Sequence, residues 1–196
     1  LAEISGVILF FLGLALFIAL FTYSPEDPNF IFPDNTEINN FFGFNGSFVS
    51  DLFFQSVGLI AYLISLTFII TGINLLKSKE FILIIENIFF TVLYCIFGSI
   101  FLTHFYSDAF TLYINGNGGF IGNFLNQTFL NQIILINSQA SYYILIFLIS
   151  FLFLKSINFN LFKFYKLISI PLNLFKKQEK KNYTDKSEII SEYIPQ

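Results

Sequence analysis

Four runs of about twenty apolar residues dominate this chain, and such a run fits a helix crossing the ~30 Å hydrocarbon core of a bilayer. They fall at about residues 4–22, 57–76, 81–105 and 138–158. A backbone in lipid must satisfy its own hydrogen bonds, so helices are the expected solution. The fold class that follows is all-α: an integral membrane bundle of four transmembrane helices. Composition agrees. Only 12% of the residues are charged and 55% are hydrophobic, whereas a soluble domain carries about 25% charged residues.

Lysines orient the spans. All 10 basic residues are Lys. Lys77 and Lys79 lie between the second and third spans; the rest, from Lys155 to Lys186, lie at or after the end of the fourth. Residues 23–56 and 106–140 contain none, and instead hold Glu26, Asp27, Asp34, Glu37, Asp51 and Asp108. Positive charge favours the cytoplasmic side. Both termini are therefore expected in the cytoplasm and both long loops outside. The chain opens on Leu1 and contains no Met, so a fragment or processed form is expected. Its first apolar run is longer than a signal peptide's core of about 7–15 residues, and an uncleaved span is expected. With one cysteine, Cys95, and one histidine, His104, neither an internal disulfide nor a Cys- or His-based metal cluster is expected.

The loops have chemistry of their own. FTYSPEDPNF, residues 21–30, stops the first span. Pro25 and Pro28 cannot continue a helix and hold Ser24 and Asp27 extended. Tyr23 is expected as an interfacial anchor with its hydroxyl in water, and Glu26 and Asp27 as solvated carboxylates. Gly43 and Gly46 then mark a turn. Ser47, Asp51 and Gln55 follow on one helical face, with Phe48, Leu52 and Phe53 on the other. This predicts a short amphipathic helix that lies in the interface or bends near Gly58. In the second loop, Gly116, Gly118, Gly119 and Gly122 predict a turn. Their likeness to G-x-G-x-x-G is loose, and no strand precedes them. Ile121, Phe124, Leu125 and Phe129 oppose Asn123, Asn126 and Gln127, which predicts an interfacial helix.

Small residues mark helix seams in membranes. Gly6 and Gly13 do so in the first span, Gly58, Ser65 and Gly72 with Ala61 in the second, and Asn87, Thr91, Cys95 and Gly98 in the third. Compact antiparallel packing of the first three spans is expected, with the fourth facing lipid more. Glu86 is the carboxylate at possible membrane depth, within reach of Lys77 or Lys79, and its expected role is structural rather than proton or ion coupling. An interfacial hydrogen bond is expected for His104, and inert packing for Cys95. Beyond residue 160, Leu161, Phe164, Ile168 and Leu172 continue a basic amphipathic pattern suited to the inner leaflet. A charged linker follows.

At this point several stretches resemble one family. YSPEDPNF after the first span, FGFNGSFVSDLFFQSVGLIAYLI, GINLL before the basic turn and GNGGFIGNFL in the second loop look like the N-terminal four-span membrane domain of FtsK/SpoIIIE-type DNA translocases. The family pattern is a Y-S-P-x-D-P turn (Tyr23, Ser24, Pro25, Asp27, Pro28), G-x-x-G-[AS]-x-x-[AS]-D (Gly43, Gly46, Asp51), F-G-x-x-A-Y (Gly58, Tyr62) and G-G-x-x-G (Gly118, Gly119, Gly122). Ser47 stands for the usual Ala, and Val57 where Phe is common. Gly72 and Glu86 are further structural candidates.

The resemblance implies a membrane anchor and septal assembly domain, residues 1–160, followed by a cytoplasmic segment and linker, residues 161–196, leading to a downstream motor. The chain has no G-x-x-x-x-G-K-[ST], so ATP and Mg²⁺ are expected only for that motor, as is DNA contact. No catalytic, cofactor or metal site is expected in this chain. Implied partners are membrane lipids, other division proteins at the septum, and further copies in a possible hexamer, in the bacterial inner membrane. The alternative is a small transporter or channel subunit, resting on Glu86 and the Asn87–Thr91–Cys95 stripe. A membrane enzyme would need clustered His, Asp or Glu, and the outer carboxylates are scattered.

Overall fold

A computed structural model describes residues 1–28, 37–107 and 114–160. The amphipathic segment and linker expected over 161–196, with Asp34 and Asp108, lie outside the described residues. The described chain is helical: α1 (Ala2–Phe21), α2 (Gly43–Val57), a 3-10 turn (Gly58–Ile60), α3 (Ala61–Ser78), α4 (Ile82–Phe105), α5 (Gly119–Asn126), α6 (Phe129–Ile136) and α7 (Ser138–Ser156). Four helices are long and apolar enough to span a membrane: α1, the α2–α3 unit, α4 and α7. Large apolar side chains such as Phe11, Ile85 and Phe147 remain exposed on them, as lipid contact requires. This is a multi-pass membrane bundle.

The four spans form two antiparallel pairs. In the first, α1 lies against α3 along a glycine seam. A Cβ on Gly72 would sit 2.6 Å from the Phe10 nitrogen and 2.7 Å from the Gly6 carbonyl oxygen. One on Gly13 would sit 2.7 Å from the Ile69 nitrogen. Lipid tails are as apolar as leucine, so close backbone approach, not water exclusion, drives this pairing. In the second pair, α4 meets α7 through aromatic side chains. Tyr94 meets Phe153 edge-on at 5.9 Å, and Phe101 meets Tyr142 at 5.4 Å. The two pairs share a core of Leu16, Leu20, Phe54, Ile60, Ala61, Ile64, Tyr94 and Leu152.

Side-chain hydrogen bonds join the pairs at the lysine end. Asn87 donates to Thr71 Oγ1 at 2.8 Å, and Thr67 meets both Tyr94 and Ser156. Just past α7, Asn74 donates to the Ile157 carbonyl at 2.9 Å and Asn158 donates to Asn87 Oδ1 at 2.7 Å. Asn158 has φ 51°, a left-handed conformation that asparagine tolerates better than most residues.

Gly58 departs from the seam expected of it. Its φ of 67° and ψ of −148° lie in a region essentially reserved for glycine. It breaks the α2–α3 unit, where a bend was one of the two expectations. A straight helix over those residues would be about 54 Å long and would overrun the hydrocarbon core. The interfacial helix expected in the second loop is two helices, α5 and α6. Thr128 divides them by accepting from the Leu130 N–H at the α6 N-terminus.

Candidate functional site

The acidic proline turn after α1 is a buried polar knot. Pro25 and Pro28 restrict the backbone, and the Asp27 N–H closes a turn onto the Ser24 carbonyl at 3.2 Å. Asp27 is 1% exposed, not solvated as the sequence suggested. Its carboxylate accepts from the Asn39 N–H at 2.8 Å, Asn39 Nδ2 at 3.1 Å and the Asn40 N–H at 2.9 Å. These charge-assisted bonds replace the water it has lost. Asn40 in turn donates to the Ala19 carbonyl at 2.8 Å, covering an end of α1 that has no intrahelical partner. The flanks of the first loop are thereby tied to each other and to the helix they follow.

The polar face of α2 also turns inward. Ser47, Ser50 and Asp51 are buried, while Phe44, Val49 and Leu52 are exposed. Ser47 donates to the Pro28 carbonyl at 3.0 Å. The Tyr23 hydroxyl is not in water: it donates to Asp51 Oδ1 at 3.0 Å, and its ring stands edge-on to Phe54 at 4.8 Å. Burial first, and then the Asp51 charge, push the Tyr23 hydroxyl above the usual phenol range. Gly46 is no turn residue. It lies buried inside α2 with the Asn40 side chain against it. Gly43 does mark the turn, with φ 63° at the start of α2.

From Asp51 a chain of hydrogen bonds runs into the second loop. Gln55 Nε2 donates to Asp51 at 3.3 Å, Gln55 Oε1 accepts from the Asn115 N–H at 3.2 Å, and Asn123 donates to the Asn115 carbonyl at 2.8 Å. The backbones meet where Leu59 N–H donates to the Asn117 carbonyl at 3.0 Å. Gly119 lies directly against the Ser56–Gly58 backbone, where a Cβ would come within 2.6 Å of the Gly58 nitrogen. Gly118 and Gly122 press on Ser99 and Thr103 of α4. The Ser99 hydroxyl donates to the Val57 carbonyl at 3.0 Å, and Asn117 donates to the Tyr106 carbonyl. The Tyr62 hydroxyl donates to the Leu20 carbonyl at 3.1 Å.

The motif residues of both loops therefore converge on one end of the bundle and clasp the loops together. Gly72 lies apart, in the α1–α3 seam. Glu86 also lies apart, exposed on α4. Lys79, expected to reach toward Glu86, instead meets Glu3 at 2.7 Å, because its left-handed position at the end of α3 brings it beside the start of α1. His104 Nε2 lies 3.5 Å from the Ser138 hydroxyl. Cys95 is buried. Sequence reasoning missed Asn39, Asn40, Asn115 and Asn117. Asn40, Asn115 and Asn117 each stand beside an aromatic residue or a glycine, which was their one signal; Asn39, between Ile38 and Asn40, carried none.

In the clasp Tyr23 and Asp51 are structural partners of one another, and Asp27 is held by Asn39 and Asn40. The four-span region of the DNA translocases FtsK and SpoIIIE matches residues 1–169. DNA translocase FtsK of Rickettsia prowazekii is 28% identical over 173 residues, covering 88% of this chain and 23% of the relative. DNA translocase FtsK of Rickettsia bellii is 31% identical over 191 residues, covering 90% and 24%. This chain thus spans about a quarter of the length of the curated relatives it matches. No solved structure matches it. By its match and its four spans, the chain belongs to the family of FtsK/SpoIIIE four-span membrane regions.

Proposed function

We propose that this chain is the membrane anchor and septal assembly domain of a DNA translocase acting in bacterial cell division and chromosome segregation. The family match over residues 1–169 carries the reading. The structure supports it by what its polar residues do. Asp27, Asp51, Asn87 and Thr71 are engaged in hydrogen bonds that hold helices and loops in place, as suits an anchor. Glu86 stands on an exposed face, and Asn87 and Thr91 are bonded within the bundle, which weakens the transporter alternative.

On this reading the lysine end faces the cytoplasm and the clasped loops face outward. An ATP- and Mg²⁺-dependent motor acts on DNA from another part of the protein. Residues 161–196 connect to it. The membrane region contacts lipids and other division proteins, and gathers with further copies, to a hexamer if the motor is hexameric. A fluorescent protein fused after Gln196 and imaged in dividing cells tests this. A band at mid-cell during constriction is expected. Even membrane fluorescence removes the septal part, and loss of fluorescence at good expression reverses the orientation.

A further inference from the structure

Two helical stripes face each other across a gap. Leu12, Ala15 and Ala19 lie along one side of α1, and Asn45, Gly46 and Val49 along one side of α2, at three- and four-residue spacings. Between them runs an open groove of about 440 Å³. The small residues account for it: Ala15, Ala19 and Gly46 bring too little side chain to fill the space between two helices. Ala19 and Gly46 are buried, whereas Leu12 and Val49 are exposed. The groove therefore opens on the outside of the bundle, along the half of α1 nearer the clasped loops.

Its surroundings and its one polar side chain select the occupant. The groove is continuous with the lipid-facing surface of α1, a membrane span, so hydrocarbon is the medium at its mouth. Its volume is that of a small-molecule site, roughly 300–1,000 Å³. Asn45 is the polar side chain in an otherwise apolar lining. It is exposed, and among the described residues its amide has no hydrogen-bond partner. The next residue, Gly46, lies against Asn40, which donates to the last turn of α1. Asn45 thus stands at the level where α1 leaves the hydrocarbon, the depth of lipid ester groups. An amide beside hydrocarbon needs an acceptor. A phospholipid supplies both parts: a chain for the apolar walls and an oxygen to accept from Asn45 Nδ2. A neighbouring helix spends its backbone carbonyls within itself. We infer that this groove holds one phospholipid of the leaflet on the clasped-loop side, with an acyl chain along Ala15 and Ala19 and Asn45 donating to an ester or phosphate oxygen. This makes one lipid contact of the anchor a specific site. It rests on the membrane placement of the spans and not on the septal role, so mid-cell imaging can fail without touching it.

The test is native mass spectrometry of the full chain released from nanodiscs of phosphatidylethanolamine and phosphatidylglycerol. One phospholipid retained per chain, after the surrounding lipid is stripped, is expected. Retention should fall at least tenfold in Ala15→Phe, which fills the groove. It should fall severalfold in Asn45→Leu, which removes the donor from an exposed position and leaves the packing alone, so that the result does not hang on one variant. Val92→Phe, on the lipid-facing side of α4, should retain the lipid as the parent does. No retained lipid on the parent, unchanged retention in either groove variant, or an equal loss in Val92→Phe overturns the inference and leaves only exchanging boundary lipid. Lipid-free pairs of chains that Ala15→Phe separates also overturn it, and give the groove to a second copy.

Discussion

The two helix pairs solve the same problem with opposite materials. Between α1 and α3 the main chains themselves touch at Gly6, Gly13 and Gly72, beside an edge-on ring contact of Phe17 with Tyr62. Between α4 and α7 the contact is made by large rings, with Tyr106, Phe101, Phe105 and Tyr142 grouped at one end. A backbone seam cannot give way, because neither side has a rotamer to change. A ring contact can repack. The first pair should therefore be brittle to added volume and the second tolerant of lost volume.

Gly72→Leu should have the largest effect. Its side chain meets the Phe10 and Gly6 backbone on α1, and overpacking costs about 1–3 kcal/mol or more. Loss of the folded chain on heating in detergent is the expected readout. Phe101→Leu, in the ring contact, should melt much closer to the unsubstituted chain. Equal destabilisation by the two would break the contrast.

Asp27→Ala comes next and asks whether the loop clasp is brittle as well. It strips the acceptor from three N–H donors around a buried site, at about 1–3 kcal/mol for unsatisfied groups. Faster proteolysis of the first loop, with the helices intact, is expected. A protection pattern unchanged from the parent would show that the turn holds without its carboxylate.

Tyr23→Phe removes one hydrogen bond, worth about 1 kcal/mol, and adds a pH signature. The folded Tyr23 hydroxyl is held above its unfolded value. Its contribution is fully present below the ordinary phenol pKa of about 10 and is lost as pH rises through the folded value. The stability gap between parent and variant should therefore be flat at neutral pH and close under strongly alkaline conditions. A gap that persists there would remove the Tyr23–Asp51 bond as its source.

Glu3→Gln should do least. The Glu3–Lys79 pair is 58% and 67% exposed, and water and salt screen such pairs. Its melting temperature should match the parent's at ordinary ionic strength. A clear loss would mean that the α1–α3 pair depends on its charged end as well as on its glycines.

The spans were legible because length and apolarity alone decide them, and the Gly6–Gly13 and Gly72 seams because only small residues fit there. The interior of the loops was not. Asp27 reads as a solvated carboxylate until Asn39 and Asn40, a dozen residues on, are seen to supply its donors. The polar stripe Ser47–Asp51 looks like a water face by periodicity, since periodicity separates two faces without saying which is inside. Gly58 matched a seven-residue spacing by coincidence; its true task, a left-handed break beneath Asn117, depends on a partner sixty residues away in sequence that no local pattern reveals.

The exit from α7 has a mechanical consequence. Tension on the chain beyond Phe159 reaches Asn158 and Ile157 before the helix, and these residues are fastened to Asn87 on α4 and Asn74 on α3. A pull is therefore passed to two neighbouring spans as well as to the end of one, and unravelling α7 from its terminus first requires those fastenings to break.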